Sequence, residues 1–145
     1  MSNGMAMLRS RVALALAAIL VLASICVSNA SGSATPPKKR ALVTWKVERE
    51  RFRSYVNVPS DIALVRSAIR EGTAAGIPVG RVYRGTRENT GHRWHLRNVR
   101  LAEVTIELCD GLPSSLDDDL GYWVGTVKRY CPWGAVPLRL RWVVP

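Results

Sequence analysis

The sequence predicts a small α+β domain in which a mostly antiparallel sheet packs against one main helix and one disulfide braces the fold. Three observations carry that expectation. Apolar and other residues alternate in several short runs, most plainly where Val136, Leu138, Leu140, Trp142 and Val144 interleave with Pro137, Arg139, Arg141 and Val143, and a period of two belongs to a strand with one buried face. One stretch, Ile62 to Ile69, instead carries the period of a helix. Two cysteines, Cys109 and Cys131, remain once an N-terminal leader is set aside.

In that leader, Arg9 and Arg11 precede an apolar run of 16 residues, Val12 to Val27, and Ser28, Asn29 and Ala30 follow it. This is the layout of a secretory signal peptide: the arginines stay on the cytoplasmic side, the apolar run enters the membrane, and Ser28 and Ala30 offer a peptidase small side chains. Cleavage is expected after Ala30. A permanent anchor helix is the alternative, but a span usually needs about 20 residues. Lipidation at Cys26 is disfavoured because Ile25 before it is not small. Residues 31–145 keep 19 of the 21 basic side chains and all 11 acidic ones, a net charge of +8 against +10 for the whole chain. The mature product is expected to be secreted or periplasmic, with no membrane span left. Its length fits one domain, near the small end at which exported proteins add a covalent staple. In an oxidising compartment Cys109 and Cys131 are more often paired than free, and closing that loop stabilises by about 3 kcal/mol in the chain-entropy model. A catalytic or metal-binding thiol is the competing reading. No cysteine, histidine and acid cluster stands at ligand spacing, so neither metal nor cofactor is expected.

Residues 31–40, SGSATPPKKR, are small, proline-bearing and then basic, with nothing apolar to bury, which reads as a flexible linker. The single domain is expected over 41–145. Val43, Trp45 and Val47 alternate with Thr44 and Lys46; after a charged stretch, Phe52, Ser54, Val56 and Val58 share the next face. A β-hairpin is the simplest account, although no Asn-Gly marks its turn. The helix follows over Asp61 to Arg70. Ile62, Val65, Ala68 and Ile69 share a face, Ser60 or Asp61 is placed to cap the first turn, and Gly72 to close the last. Arg66 and Arg70 fall on the wet side. Val79 and Val82 begin a strand that Gly85 closes, and Thr86 to Arg93 is a polar loop. Trp94 to Val99 and Leu101 to Cys109 read as two further strands with a turn at Asn98 to Arg100; in the second, Val104, Ile106 and Leu108 alternate with Thr105, Glu107 and Cys109. Asp110 to Pro113 breaks the pattern. Ser114 or Ser115 is then placed to cap one helical turn whose acids, Asp117 to Asp119, suit the positive end of its dipole.

An ordered set of short motifs adds a second line of argument: GRVYRG at 80–85, Asn89, WHL at 94–96, ELCDG at 107–111 and CPW at 131–133. Together they resemble the N-terminal domain of the slime-mould cyclic-AMP-inducible prespore protein family, described as calmodulin-binding, which has relatives among secreted microbial proteins. The hairpin and helix upstream fall in the matching order, so the resemblance covers most of the mature chain. It implies a shared fold and export. The family brings no established activity, and the alanine-rich leader looks bacterial, a setting in which calmodulin binding has no place.

Few residues are suited to chemistry. His92 and His95 are the only histidines and flank Trp94; three apart on a strand they point to opposite faces, which disfavours a shared metal. His95 is placed either to meet Glu107 or Asp110 across the sheet as an acid–base pair, or to make a structural hydrogen bond that fixes strand pairing. Glu107 and Asp110 flank Cys109, where carboxylates bind a cation or cap neighbouring amides. Asp117 to Asp119 lack the alternate spacing of a calcium loop. No serine stands in a nucleophile-elbow setting, and no glycine-rich phosphate loop is present. Trp133 is expected to pack on the disulfide.

Basic residues run along the whole chain. Arg81, Arg97, Arg139 and Arg141 fall on strands, placed to line one sheet face with Trp94 or Trp123 among them, a mix that suits a polyanion or a sugar. The leading expectation is an exported, non-enzymatic binding or inhibitor-like module. Trp94, Arg97, Arg139 and Arg141 are its expected ligand contacts, and its partner is an anionic glycan, a lipid headgroup or a protein. Two alternatives stand beside it: a small hydrolase or metal-assisted enzyme centred on His95, Glu107 and Asp110, and a cell-envelope structural protein with a generic basic surface.

Overall fold

The computed structural model describes residues 39–144; the expected leader and nearly all of the expected linker lie outside them. β1 (Arg40–Val47) and β2 (Glu50–Val56) form the hairpin, in register from Ala41 with Val56 to Val47 with Glu50. In place of an Asn-Gly pair, Glu48 takes the left-handed φ, 53°, in the two-residue turn. Val43, Trp45, Phe52, Ser54 and Val56 are buried on one face. The polar member is satisfied there, because Ser54 Oγ accepts from Trp45 Nε1 at 2.9 Å.

α1 (Pro59–Glu71) starts earlier than the pattern predicts. Pro59 sits in the first turn, where its fixed φ suits the helix and its missing N–H is no loss. Neither Ser60 nor Asp61 caps this end. Asp61 instead turns inward, and its Oδ2 accepts from Arg100 Nε at 2.9 Å and Leu101 N at 3.2 Å. Gly72 closes the helix at φ 70°, as expected. Val65 and Ala68 are buried, with Ile62 and Ile69 packed against the core beside them.

β3 (Ile77–Arg84) pairs antiparallel with β4 (Trp94–Ala102). Asn98 to Arg100 is not a turn between two strands. Asn98, at φ 54°, lies within one continuous strand, and the pairing register shifts between Val79 and Arg81 to accommodate a bulge. The strand expected over Leu101 to Cys109 does not form, because β3 begins at Ile77 opposite Ala102 and backbone groups beyond that point have no ladder partner. The chain leaves the sheet there. Glu107–Cys109 is a single 3-10 turn, and Cys109 is joined to Cys131, their Cα atoms 5.2 Å apart.

α2 (Pro113–Asp118) and α3 (Leu120–Tyr122) follow, and α3 runs on into a π-helical turn at Trp123–Val127, so the second helical region exceeds the one turn expected. A proline again starts the helix, and its cap comes from another element: the Glu50 carboxylate of β2 accepts from Ser114 N and Ser114 Oγ, both at 2.7 Å. β5 (Arg129–Tyr130) and β6 (Val136–Val143) complete the sheet.

The six strands stand in the order β5-β3-β4-β2-β1-β6. Every neighbouring pair is antiparallel except β2 and β4, which meet in parallel through one residue pair, Val56 and Val99. The architecture is therefore α+β with a mostly antiparallel mixed sheet. α1, α2 and α3 send Val65, Leu116 and Leu120 into one core cluster with the inward side chains of the strands. Its centre is aromatic, with Trp45, Phe52, Trp94, Trp123 and Tyr130 ring centroids 5.3 to 6.2 Å apart along the chain of contacts. Burial, with Asp110 and Glu50 nearby, pushes the Tyr130 phenol above its ordinary value, which keeps it a donor to the Gly111 carbonyl at 2.9 Å. Among the described residues no helix is long and apolar enough to cross a membrane.

Candidate functional site

With the helices packed into one core, alternation along the strands sends the remaining side chains to the opposite face of the sheet, which carries no helix although Leu42 and His95 are buried on it. Register groups them. Arg97 of β4, Arg81 of β3 and Arg129 of β5 stand in one row, Arg81 paired with Arg97 on one side and Arg129 on the other. Next to this row Tyr83 pairs with His95. In the other half of the sheet, Arg53 and Tyr55 of β2, Arg40 of β1, and Arg139 and Arg141 of β6 share the same face, Arg139 opposite Thr44 and Arg141 opposite Leu42.

Tyrosine rings steady several of these cations. The Arg97 and Arg81 guanidiniums lie 4.6 and 5.7 Å from the centre of the Tyr83 ring, and Arg40 lies 5.5 Å from that of Tyr55. Among the described residues none of Arg81, Arg97, Arg129, Arg139 and Arg141 makes an ion pair. Like charges directly opposite one another on a sheet repel, so the row of three carries a mutual repulsion. Two concavities flank it. A polar pocket of about 330 Å³ is lined by Arg40, Tyr55, Arg87, Glu88, His95 and Arg97. A groove of about 750 Å³ runs past Arg81, Arg100, Lys128 and Arg129 to Val104, Thr105 and Ile106, and Arg97 lines both.

His95 is 3 % exposed and stacks on Tyr83 with centroids 5.8 Å apart. Its Nδ1 donates to the Gly85 carbonyl at 2.8 Å. A carbonyl only accepts, so the neutral ring carries its hydrogen on Nδ1 and leaves Nε2 an acceptor, which is buried without a partner. The hydrogen bond to Gly85 holds the end of β3 against β4. No hydrogen bond joins Glu107 or Asp110 to this histidine: Glu107 is exposed in its 3-10 turn, and Asp110 Oδ1 accepts from Gly111 N at 2.8 Å and Trp133 N at 2.9 Å. Among the described residues no group of three or more His, Cys, Asp or Glu side chains is placed to hold a metal ion. Trp94 and Trp123 also stand away from the arginines, because β4 alternation turns Trp94 opposite to His95 and Arg97 and into the core cluster that Trp123 shares. Tyr55 and Tyr83 are the aromatic members of the basic face. Trp133 is half exposed.

Two residues acquire roles that no local pattern announces. Asn89 is fully buried; its Oδ1 accepts from Arg53 N at 2.8 Å and its Nδ2 donates to Trp94 O at 3.1 Å. His92 bonds Asp117 Oδ2 through Nδ1 at 2.6 Å and Arg51 O through Nε2 at 2.8 Å. Both tie the loop before β4 to β2, beside the polar pocket. Asn89 is a member of the ordered motif set, and that membership is its one signal in the sequence. Residues 38–141 match the family model of the BP-74 N-terminal domain, the prespore protein domain that the motif set resembles. No curated protein and no solved structure matches the chain.

Proposed function

The chain belongs to the family of the prespore protein N-terminal domain, and on that premise we propose that it is an exported, non-enzymatic module that binds an anionic polymer or surface with its uncovered sheet face. The row Arg97, Arg81 and Arg129 carries this reading. Three guanidiniums in register on adjacent strands, with no carboxylate partner among the described residues, repel one another until an external anion neutralises them. Arg40, Arg139 and Arg141 extend the cationic surface across the other half of the sheet, and the net charge of +8 on residues 31–145 draws polyanions from a distance. Binding is favoured over hydrolysis because His95 and Asp110 are committed to backbone partners and no hydrogen bond joins His95 to Glu107 or Asp110. Removal of the leader after Ala30 and an oxidised Cys109–Cys131 pair complete the reading, since such a pair persists outside the cytoplasm.

Heparin chromatography tests it. The protein is expected to be retained and to elute at moderate salt, because exposed charges are screened over about 10 Å at 0.1 M salt. The Arg81→Ser/Arg97→Ser and Arg139→Ser/Arg141→Ser variants are expected to elute earlier with melting temperatures near that of the wild type. Absence of retention, or equal retention of all three proteins, overturns the proposal.

A further inference from the structure

The segment between β4 and the disulfide leaves three aliphatic side chains uncovered, interleaved with the exposed Glu103 and Glu107. Val104, Ile106 and Leu108 are 84 %, 68 % and 57 % exposed. A single exposed aliphatic residue is ordinary, but three within five residues, next to a cluster of cations, form the kind of patch that marks a docking surface. Val104 and Ile106 line the same groove as Arg97, Lys128 and Arg129. The two chemistries therefore face one partner. The segment is also anchored at its base: Cys109 N donates to Ile106 O at 3.4 Å, Cys131 N donates to Cys109 O at 2.8 Å, and the two cysteines are joined. Thr105 Oγ1, in the wall of the groove, has no hydrogen-bond partner.

We propose that residues 104–108 and the adjoining basic groove dock on a bilayer of anionic phospholipid, the aliphatic side chains entering the interface while Arg97, Lys128 and Arg129 meet the headgroup phosphates. This rests on the basic-face reading and names its partner. A soluble polyanion offers the arginines their counter-charges but gives Val104, Ile106 and Leu108 nothing to be buried in. A bilayer interface supplies both, since membrane attachment grows with buried apolar area and with attraction between basic side chains and anionic headgroups.

Co-sedimentation with vesicles tests the proposal, using equal parts phosphatidylglycerol and phosphatidylcholine against phosphatidylcholine alone, with heparin elution measured on the same preparations. The wild type is expected to prefer the anionic vesicles. Ile106→Ser/Leu108→Ser is expected to lose about tenfold or more in vesicle binding while eluting from heparin with the wild type. Lys128→Asn/Arg129→Ser is expected to weaken on both, by about fivefold per charge on vesicles. Val104→Ser repeats the aliphatic test should the double variant fold poorly. Vesicle binding that ignores phosphatidylglycerol, or serine variants that bind like the wild type, overturns the membrane proposal; if heparin still retains the protein, the basic-face reading survives. A wild type held by neither matrix overturns both.

Discussion

The side-chain amide of Asn89 serves Arg53 as a neighbouring strand would, its Oδ1 taking the Arg53 N–H while its Nδ2 reaches the Trp94 carbonyl. β2 and β4 share one parallel backbone pair, at Val56 and Val99, and toward the start of β4 the side chains of the preceding loop complete the join. His92 Nε2 extends the substitution to the carbonyl of Arg51. Buried backbone groups need partners wherever they lie, and here two side chains supply what a longer ladder would have given.

Asn89→Ala is accordingly expected to destabilise the domain by about 2–4 kcal/mol, because it strands a backbone donor and acceptor and leaves a void. Asn89→Asp is expected to cost at least as much, since it keeps the acceptor but loses the donor and buries a charge. Urea denaturation measures both. A loss under about 0.5 kcal/mol, the range of an ordinary surface change, would contradict the role assigned to Asn89.

Asp117 ties this same loop to α2. Burial pushes its carboxyl up, but hydrogen bonds from the Arg93 backbone N–H and the His92 ring outweigh burial and hold it below the ordinary value. A carboxyl held low in the folded state contributes stability that is present above the unfolded value of 3.8 and lost as pH falls through the folded one. Asp117→Asn is expected to lose about 1–3 kcal/mol at neutral pH. The gap from the wild type should close at acid pH, and thermal melts at stepped pH would show it. A gap independent of pH would contradict the assignment.

Glu50 couples the hairpin to α2 by receiving two hydrogen bonds from Ser114. Glu50→Ala is expected to cost about 1–2 kcal/mol, the scale of a lost helix cap, and Glu50→Gln to recover part of it. Identical melting curves for the alanine variant and the wild type would sink this role.

The Cys109–Cys131 link closes a loop with a sequence separation of 22. Replacing both cysteines with serine is expected to lower stability by about 3 kcal/mol in the chain-entropy model. Reductant should produce a comparable loss in the wild type and none in the double variant; a wild type insensitive to reductant would exclude the link.

What the sequence makes legible is what local pattern can encode. β1, β2, α1, β3 and β6 each have their own periodicity and their own stop, such as Gly72 for the helix. Strand alternation likewise places Arg81 and Arg97, and Arg139 and Arg141, on the uncovered face. Other features depend on which strand lies beside which. Val104, Ile106 and Leu108 alternate as a half-buried strand does, yet period two records no partner, and β3 begins opposite Ala102. Asn98 looks like a turn residue because a bulge makes the same conformational demand. Trp94 stands near the arginines in sequence, but the alternation of β4 carries it to the other side of the sheet. His95 and Asn89 find their hydrogen-bond partners in elements that only the fold brings near.

The two margins of the sheet differ in kind: β5 is two residues long, and β6 presents Pro137, Arg139 and Arg141. A strand edge invites another chain to add to it, and brevity, proline and charge each discourage that. Arg139 and Arg141 thus guard the β6 edge against fibre growth. A polyanion that saturates them strips away this guard, so heavily loaded protein should clump at concentrations where the free form stays monodisperse.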